Sequence, residues 1–298
     1  MSRMTRVGVI GAGRVGAVLA AALRAQGYEI VAVAADSTLS RDRAHTLLPG
    51  VPIFKPTEVA RRSELLLLTV PDDMLANVAT QLVGAGAIQP GTRVVHTSGR
   101  HGQVAIDIVR SVGAHPMAVH PAMTFTGTEV DLARLSGCVF GVTVDPSDRD
   151  EAAELVGALG GKPMWVAEQN RTLYHAGMAH GANHLVTLVA QSMDLLTRAG
   201  AEDPAAALRP LLTAALDNAL AHGDSALTGP IVRGDVNTVR AHVAEILRSA
   251  PDTLPSYVTL ARATADRAVM DGRLLPIRAA SISAVLDGAV ADYAKSVR

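Results

Sequence analysis

Apolar residues in the first half of the chain fall in short unbroken runs rather than in alternation. Arg6 to Ile10, Ile30 to Ala34, Leu65 to Val70, Arg93 to Thr97, Met117 to His120 and Cys138 to Val142 each read as a strand. Unbroken runs suit parallel strands covered by helices on both faces. Helical patterns lie between them, of which Val15 to Ala25 is the clearest. Alternating strand and helix predicts a doubly wound α/β domain. The pattern changes near Val166. From Arg171 onward Ala- and Leu-rich segments of helical period cover about 171–199, 204–222, 235–249, 254–271 and 276–296, with no strand among them. Asp203-Pro204 and the stretch Asp252 to Pro255 have the form of helix starts, a capping residue close to a first-turn proline. The predicted architecture is an N-terminal doubly wound domain over 1–168 and an all-helical domain over 169–298.

Gly11-Ala12-Gly13-Arg14-Val15-Gly16 fits G-x-G-x-x-G. Three glycines alone carry little weight, but these follow a strand and open a helix. In that setting Gly11 permits a tight turn, Gly13 lets the backbone approach a pyrophosphate, and Gly16 lets helix and strand pack closely. The helix N-terminus, with Arg14 and Val15, offers free N–H groups and a positive dipole end to phosphates. The first domain therefore reads as a Rossmann dinucleotide-binding domain. Asp36 stands at the end of the second strand, where a carboxylate can accept from the ribose 2′-hydroxyl of NAD. Ser37, Arg41 and Arg43 follow closely and can hold the 2′-phosphate of NADP. The balance leans to NAD. A plainer alternative is that Asp36 caps a helix near Ser37.

Ligands of open parallel sheets bind beyond the carboxyl ends of strands. Three such ends carry polar or special residues: Val70-Pro71-Asp72-Asp73, His96-Thr97-Ser98-Gly99, and His120-Pro121 with Thr124 and Phe125 behind it. Val70 and Pro71 are expected against the cofactor. Ser98 is a candidate donor to a substrate oxygen, and Gly99 leaves room for a nicotinamide. His120 is a candidate acid or substrate ligand. A simple turn and a rigid loop are the plainer alternatives.

Composition narrows the class. The chain has 298 residues, with 27 basic and 28 acidic side chains and no basic block, so a nucleic-acid partner is not expected. Its one cysteine, Cys138, fits a reducing compartment. No secretory leader and no run of ~18 apolar residues stands out, so neither export nor a membrane span is expected, and the cytoplasm is the expected location. His180 and His184 share a helix face at i, i+4, but no acid lies between them and no third ligand is evident. No metal site is expected.

The set G-x-G-x-x-G, Val-Pro-Asp-Asp, His-Thr-Ser-Gly, His-Pro-x-x-Thr-Phe, Tyr174-His175-Ala176 with Asn183, and Leu227-Thr228-Gly229-Pro230-Ile231 through Arg233-Gly234-Asp235 resembles a bacterial family of oxidoreductase-like proteins. Its members join a Rossmann-like domain to a helical domain of unknown function. In layout they are similar to pyrroline-5-carboxylate reductase, ketopantoate reductase and the β-hydroxyacid dehydrogenases. The resemblance implies an NAD(P)-dependent reductase of a small carboxylate-bearing carbonyl or cyclic imine, paired as a homodimer through the helical domain. It makes Arg233 the grip on a substrate carboxylate, Asn183 a donor to the reacting oxygen and Thr228 an assistant. A local Arg233–Asp235 ion pair is the plainer reading of that loop. Relatives place a proton-donating lysine on the first long helix. This chain has no lysine between Lys162 and Lys295, so His180, His175 or a substrate needing less acid help must take that part. A dinucleotide-binding sensor without turnover is the alternative from a different class.

Overall fold

The computed structural model describes residues 5–296. The chain forms two compact units that divide after Gly181.

The first unit holds one sheet of seven strands: β1 (Arg6–Ile10), β2 (Glu29–Ala34), β3 (Leu65–Leu68), β4 (Arg93–His96), β5 (His115–Pro121), β6 (Val139–Thr143) and β7 (Lys162–Trp165). Their order is β2-β1-β3-β4-β5-β6-β7. The first five run parallel. Six helices accompany them: α1 (Arg14–Ala25), α2 (Thr38–Leu47), α3 (Pro56–Arg61), α4 (Leu75–Gly84), α5 (Val130–Leu135) and α6 (Arg149–Ala158). The unbroken leucines of β3 show why apolar runs mark this architecture. Leu65 and Leu67 join the core that contains Leu19 and Leu23 of α1. Leu66 and Leu68 point the other way, into the core that contains Leu75 and Leu82 of α4. Successive side chains of a strand alternate faces, so a strand apolar at every position needs a cover on both.

Two features depart from the parallel pattern read in the sequence. β6 runs antiparallel to β5, with His120 opposite Gly141. β7, which the apolar pattern did not reveal, pairs parallel with β6 at the sheet edge. Pro163 is tolerated there because an edge strand leaves one row of N–H groups outside the ladder.

A helix of 28 residues, α7 (Arg171–Arg198), starts in the first unit and continues into the second. The remaining helices are α8 (Pro204–His222), α9 (Val236–Ser249), α10 (Leu254–Met270) and α11 (Pro276–Ser296). Asp203 caps α8, accepting from the Ala206 N–H at 2.9 Å, and Asp235 caps α9, accepting from the Thr238 N–H at 3.1 Å. The core of the second unit repeats one spacing three times. Val239, Val243 and Ile246 of α9 meet Leu254, Val258 and Ala261 of α10, and Ile282, Leu286 and Ala289 of α11. Steps of four and three residues keep a stripe on one helix face. By contrast α8 buries Leu208 alone and leaves Leu211, Leu216 and Leu220 exposed. No helix among the described residues is long and apolar enough to cross a membrane.

The boundary read at 168/169 lies in a single 3-10 turn, Glu168–Asn170, ahead of α7. The first turns of α7 side with the sheet because Arg171 and Tyr174 bond to groups at the strand ends.

Candidate active site

The glycine-rich loop leaves β1 and enters α1. Gly11 has φ +97°, a left-handed conformation that favours glycine. A Cβ there would also sit 2.6 Å from the Thr69 carbonyl oxygen. Thr69 closes the turn from the far side, its hydroxyl donating to the Gly11 carbonyl at 2.6 Å. A Cβ on Gly16 would overlap Thr69 Oγ1 and the Gly11 carbonyl oxygen. Gly13 differs from both. A Cβ built on it meets nothing within 4 Å, so the absence of a side chain there serves no internal packing. Gly13 is also the N-cap of α1, without any side-chain cap, and no acid stands in the first turn. An open backbone face with free N–H groups and a positive helix end fits a pyrophosphate. Arg14, exposed, and Val15, half-buried, lie in that first turn. The loop at Gly127 lies over it, since a Cβ on Gly127 would come within 3.0 Å of Arg14 Cγ and 2.8 Å of Arg43 Nε.

At the end of β2, Ser37 is the cap of α2, its Oγ accepting from the Ser40 N–H at 3.1 Å. Ser37 thereby takes the capping part that the sequence left open to Asp36. Asp36 stays exposed, beside a cavity of about 430 Å³ that Arg41 and Lys55 also line. Arg41 is steered by its own backbone contact, Nε donating to the Ala35 carbonyl at 3.1 Å. Val70 and Pro71 follow Thr69 past the end of β3 and lead into the 3-10 turn Asp72–Met74.

The carboxyl ends of β3, β4 and β5 bring together Asp72, Ser98 and His120, and α7 adds Arg171, Tyr174 and His175. His96 is fully buried at the base. Its Nδ1 accepts from the Ser98 N–H at 3.2 Å, so its Nε2 carries the hydrogen and donates to the Gly102 carbonyl at 2.8 Å. Burial pushes its pKa down to about 4, which keeps the ring neutral near pH 7. The Ser98 hydroxyl donates to Asp72 Oδ2 at 2.7 Å and accepts from the His101 N–H at 3.1 Å. Its single hydrogen is thus committed to a carboxylate.

Arg171 is 1% exposed. Its guanidinium donates to three carbonyl oxygens: Nε to His101 at 2.9 Å, Nη1 to Gly141 at 3.0 Å and Nη2 to Ser98 at 2.9 Å. All three partners are neutral. Tyr174 lies one turn further along α7, across Gly141, where a Cβ would come within 2.5 Å of its hydroxyl. That hydroxyl and His120 Nδ1 share a hydrogen bond of 2.8 Å. His175 stands edge-on to His120, ring centroids 6.2 Å apart. Gly99 makes room for both histidines, since a Cβ there would lie 2.5 Å from the His175 ring and 3.0 Å from His120 Nε2. Burial, the Arg171 charge and His175 together lower the His120 pKa to about 4.

Of the residues singled out in the sequence, Ser98, His120 and His175 therefore meet at one place. His180 lies about 7.5 Å further along the α7 axis and is exposed. Asn183, Thr228 and Arg233 belong to the second unit and are all exposed. Arg233 makes no ion pair among the described residues, and Asp235 spends its carboxylate on the α9 cap. No group of three or more potential metal ligands occurs among the described residues. Arg171, Tyr174 and Asp72 are additions that the sequence reading did not assign. Tyr174 sits inside a motif that drew attention to its histidine neighbour. Nothing local distinguishes Arg171 from the surface arginines around it.

Residues 1–121 match the family described as a Rossmann-like domain. Residues 138–264 match a domain of unknown function, DUF2520. The cluster draws on both segments, His96, Ser98 and His120 from the first, Gly141, Arg171, Tyr174 and His175 from the second. No curated protein matches the sequence. Among solved structures, 88% of the chain superposes on 98% of a candidate NADP oxidoreductase from Bacteroides fragilis, at 21% identity and TM-score 0.74. It covers 94% of itself and 100% of an NADP-bound pyrroline carboxylate reductase from Plasmodium falciparum, at 11% identity and TM-score 0.57. For a pyrroline-5-carboxylate reductase from Coxiella burnetii the shares are 96% and 98%, at 15% identity and TM-score 0.55. At these identities the likeness is one of fold. The family resemblance read from the motifs holds in both segments: one matches a Rossmann-like domain and the other DUF2520.

Proposed function

We propose that this protein is a nicotinamide-dinucleotide-dependent reductase of a small carbonyl or cyclic imine that bears a carboxylate. The observation that carries the reading is the pairing of an open glycine cradle at Gly13 with titratable side chains at the neighbouring strand ends. The reductases among the structures of similar fold support it. When bound, the reduced nicotinamide supplies the hydride. The chain supplies the rest. The N–H groups of Arg14, Val15 and Gly16 and the α1 dipole hold the pyrophosphate. Asp36 accepts from a ribose hydroxyl, which favours NADH, while Arg41 and Arg43 stand close enough in sequence to favour a 2′-phosphate if Asp36 turns away. Arg233 is the carboxylate grip and Asn183 and Thr228 are substrate-side donors. A homodimer formed through the helical unit belongs to the same reading, supported by the bare apolar face of α8.

The test is oxidation of NADH and NADPH against a panel of 2-oxo acids and cyclic imines, with Arg233→Ala alongside. Turnover with at least one member is expected, and Arg233→Ala should lower kcat/KM about 100-fold. Tight dinucleotide binding without turnover would favour the second reading, a sensor. The commitment of Ser98 and Arg171 to internal partners speaks for that reading.

A further inference from the structure

The reductase reading needs a proton donor, and α7 carries no lysine in which to seek it. We infer that Tyr174 is the proton donor, with His120 positioning its hydroxyl and Arg171 stabilising the phenolate left behind; the inference rests on the reductase reading. Three observations carry it. First, the Tyr174 hydroxyl is held at 2.8 Å by His120 Nδ1, and the two rings meet edge to face at 86°. Second, the Arg171 guanidinium carbon lies 5.7 Å from the Tyr174 ring centroid, on the preceding turn of the same helix. Third, that guanidinium is buried and hydrogen-bonded only to three carbonyl oxygens, with the carboxylates of Glu168 and Asp72 acting on it without a direct bond. A guanidinium with no carboxylate bonded to it keeps its charge available to a phenolate that forms beside it, and Tyr174 is the group on α7 that stands there.

The proton balance is simple. A bound reduced nicotinamide dinucleotide would supply the hydride for the substrate carbon, and the chain supplies the proton. The Tyr174 O–H bond breaks as the proton passes to the substrate oxygen or nitrogen. His120 Nδ1–H then gives its hydrogen to the phenolate while Nε2 takes up the solvent proton that each turnover consumes, which leaves the ring neutral as its other tautomer. A neutral imidazole is the form this relay requires, and burial beside Arg171 keeps His120 neutral down to about pH 4. The other groups around His120 are His175 on α7, His96 on β4 and Asp72 after β3. Ser98 is passed over because its hydrogen belongs to Asp72.

The test uses the full-length chain. Tyr174→Phe removes one oxygen and keeps the ring across Gly141. Nitrogen NMR of the His120 ring, free of any cofactor, should show the Nδ1 signal displaced in Tyr174→Phe. With a substrate in hand, kcat should fall roughly 100-fold or more while dinucleotide Kd stays within about twofold. His120→Asn is the second variant, and it should shift the pH profile of kcat as well as lower it. An unchanged His120 signal in Tyr174→Phe, or an unchanged kcat, overturns the assignment of Tyr174. If the wild-type protein reduces no member of the panel, the reductase reading falls and takes the donor with it, even where the NMR shows the hydrogen bond intact.

Discussion

Arg171 Nη2 donates to the carbonyl oxygen of Ser98 at 2.9 Å, across 73 positions of sequence. With its bonds to His101 and Gly141, this contact fastens the first turn of α7 to the loop after β4 and to β6. Removing the guanidinium takes the donor from two buried carbonyl oxygens, of Ser98 and Gly141, and from the half-buried one of His101. Each unsatisfied buried acceptor costs about 1–3 kcal/mol. Arg171→Met should therefore destabilise the fold by on the order of 3 kcal/mol or more, read as a lower urea midpoint. A midpoint unchanged from wild type would show that the loop relaxes freely.

Gly13 and Gly16 should separate binding from stability. A methyl at Gly16 overlaps Thr69 Oγ1 and the Gly11 backbone, so Gly16→Ala should cost about 1–3 kcal/mol of stability as well as dinucleotide affinity. A methyl at Gly13 meets nothing, and its φ of −76° suits alanine. Gly13→Ala should keep the wild-type melting temperature and weaken dinucleotide binding at least tenfold by calorimetry. Equal affinity would remove Gly13 from the cofactor site.

His96 should make stability depend on pH. In the unfolded chain it takes a proton near pH 6.5, whereas in the folded protein burial delays protonation to about 4. Between those values the unfolded state binds more protons, so stability rises with pH through the window, is complete above it and is lost as pH falls. From pH 7 to 4.5 the loss from His96 should be on the order of 2 kcal/mol, and the lowered pKa of His120 acts in the same direction. Urea unfolding at a series of pH values, compared with His96→Asn, isolates the effect. An identical slope in the variant would contradict it.

Asp36→Ala should erode a preference for NADH over NADPH, measured as the ratio of their Kd values. The same ratio before and after would take Asp36 out of the ribose site.

A homodimer is the expected state in solution at micromolar concentration. Light scattering should give twice the mass of 30.9 kDa. Leu216→Glu and Leu220→Glu on α8 should shift it toward the monomer, and a monomeric wild type would end the expectation.

The elements most legible in the sequence are those whose burial is complete. β3 is four leucines because both of its faces are covered, and the stripes of α9, α10 and α11 recur at one spacing because three helices share one core. β7 escaped because an edge strand of Lys162, Pro163, Met164 and Trp165 is largely exposed and carries no apolar pattern. The reversal of β6 escaped because an apolar run has no direction. In the candidate site, His120 and Ser98 were visible as polar residues closing apolar strands. Arg171 was not, because its partners are backbone carbonyls that any sequence would supply. Tyr174 stood in view within its motif, but its pairing with His120 spans 54 positions that only the fold brings together.

The position of Arg171 also decides where this protein can be cut. A fragment ending at 168 would look like a complete nucleotide-binding domain, since every strand of the sheet precedes that point. It would nevertheless open a hole where the guanidinium had been, with the Ser98, His101 and Gly141 carbonyls facing into it and no side chain to fill it. A fragment that keeps these bonds must instead include the opening turns of α7, as the first compact unit through Gly181 does.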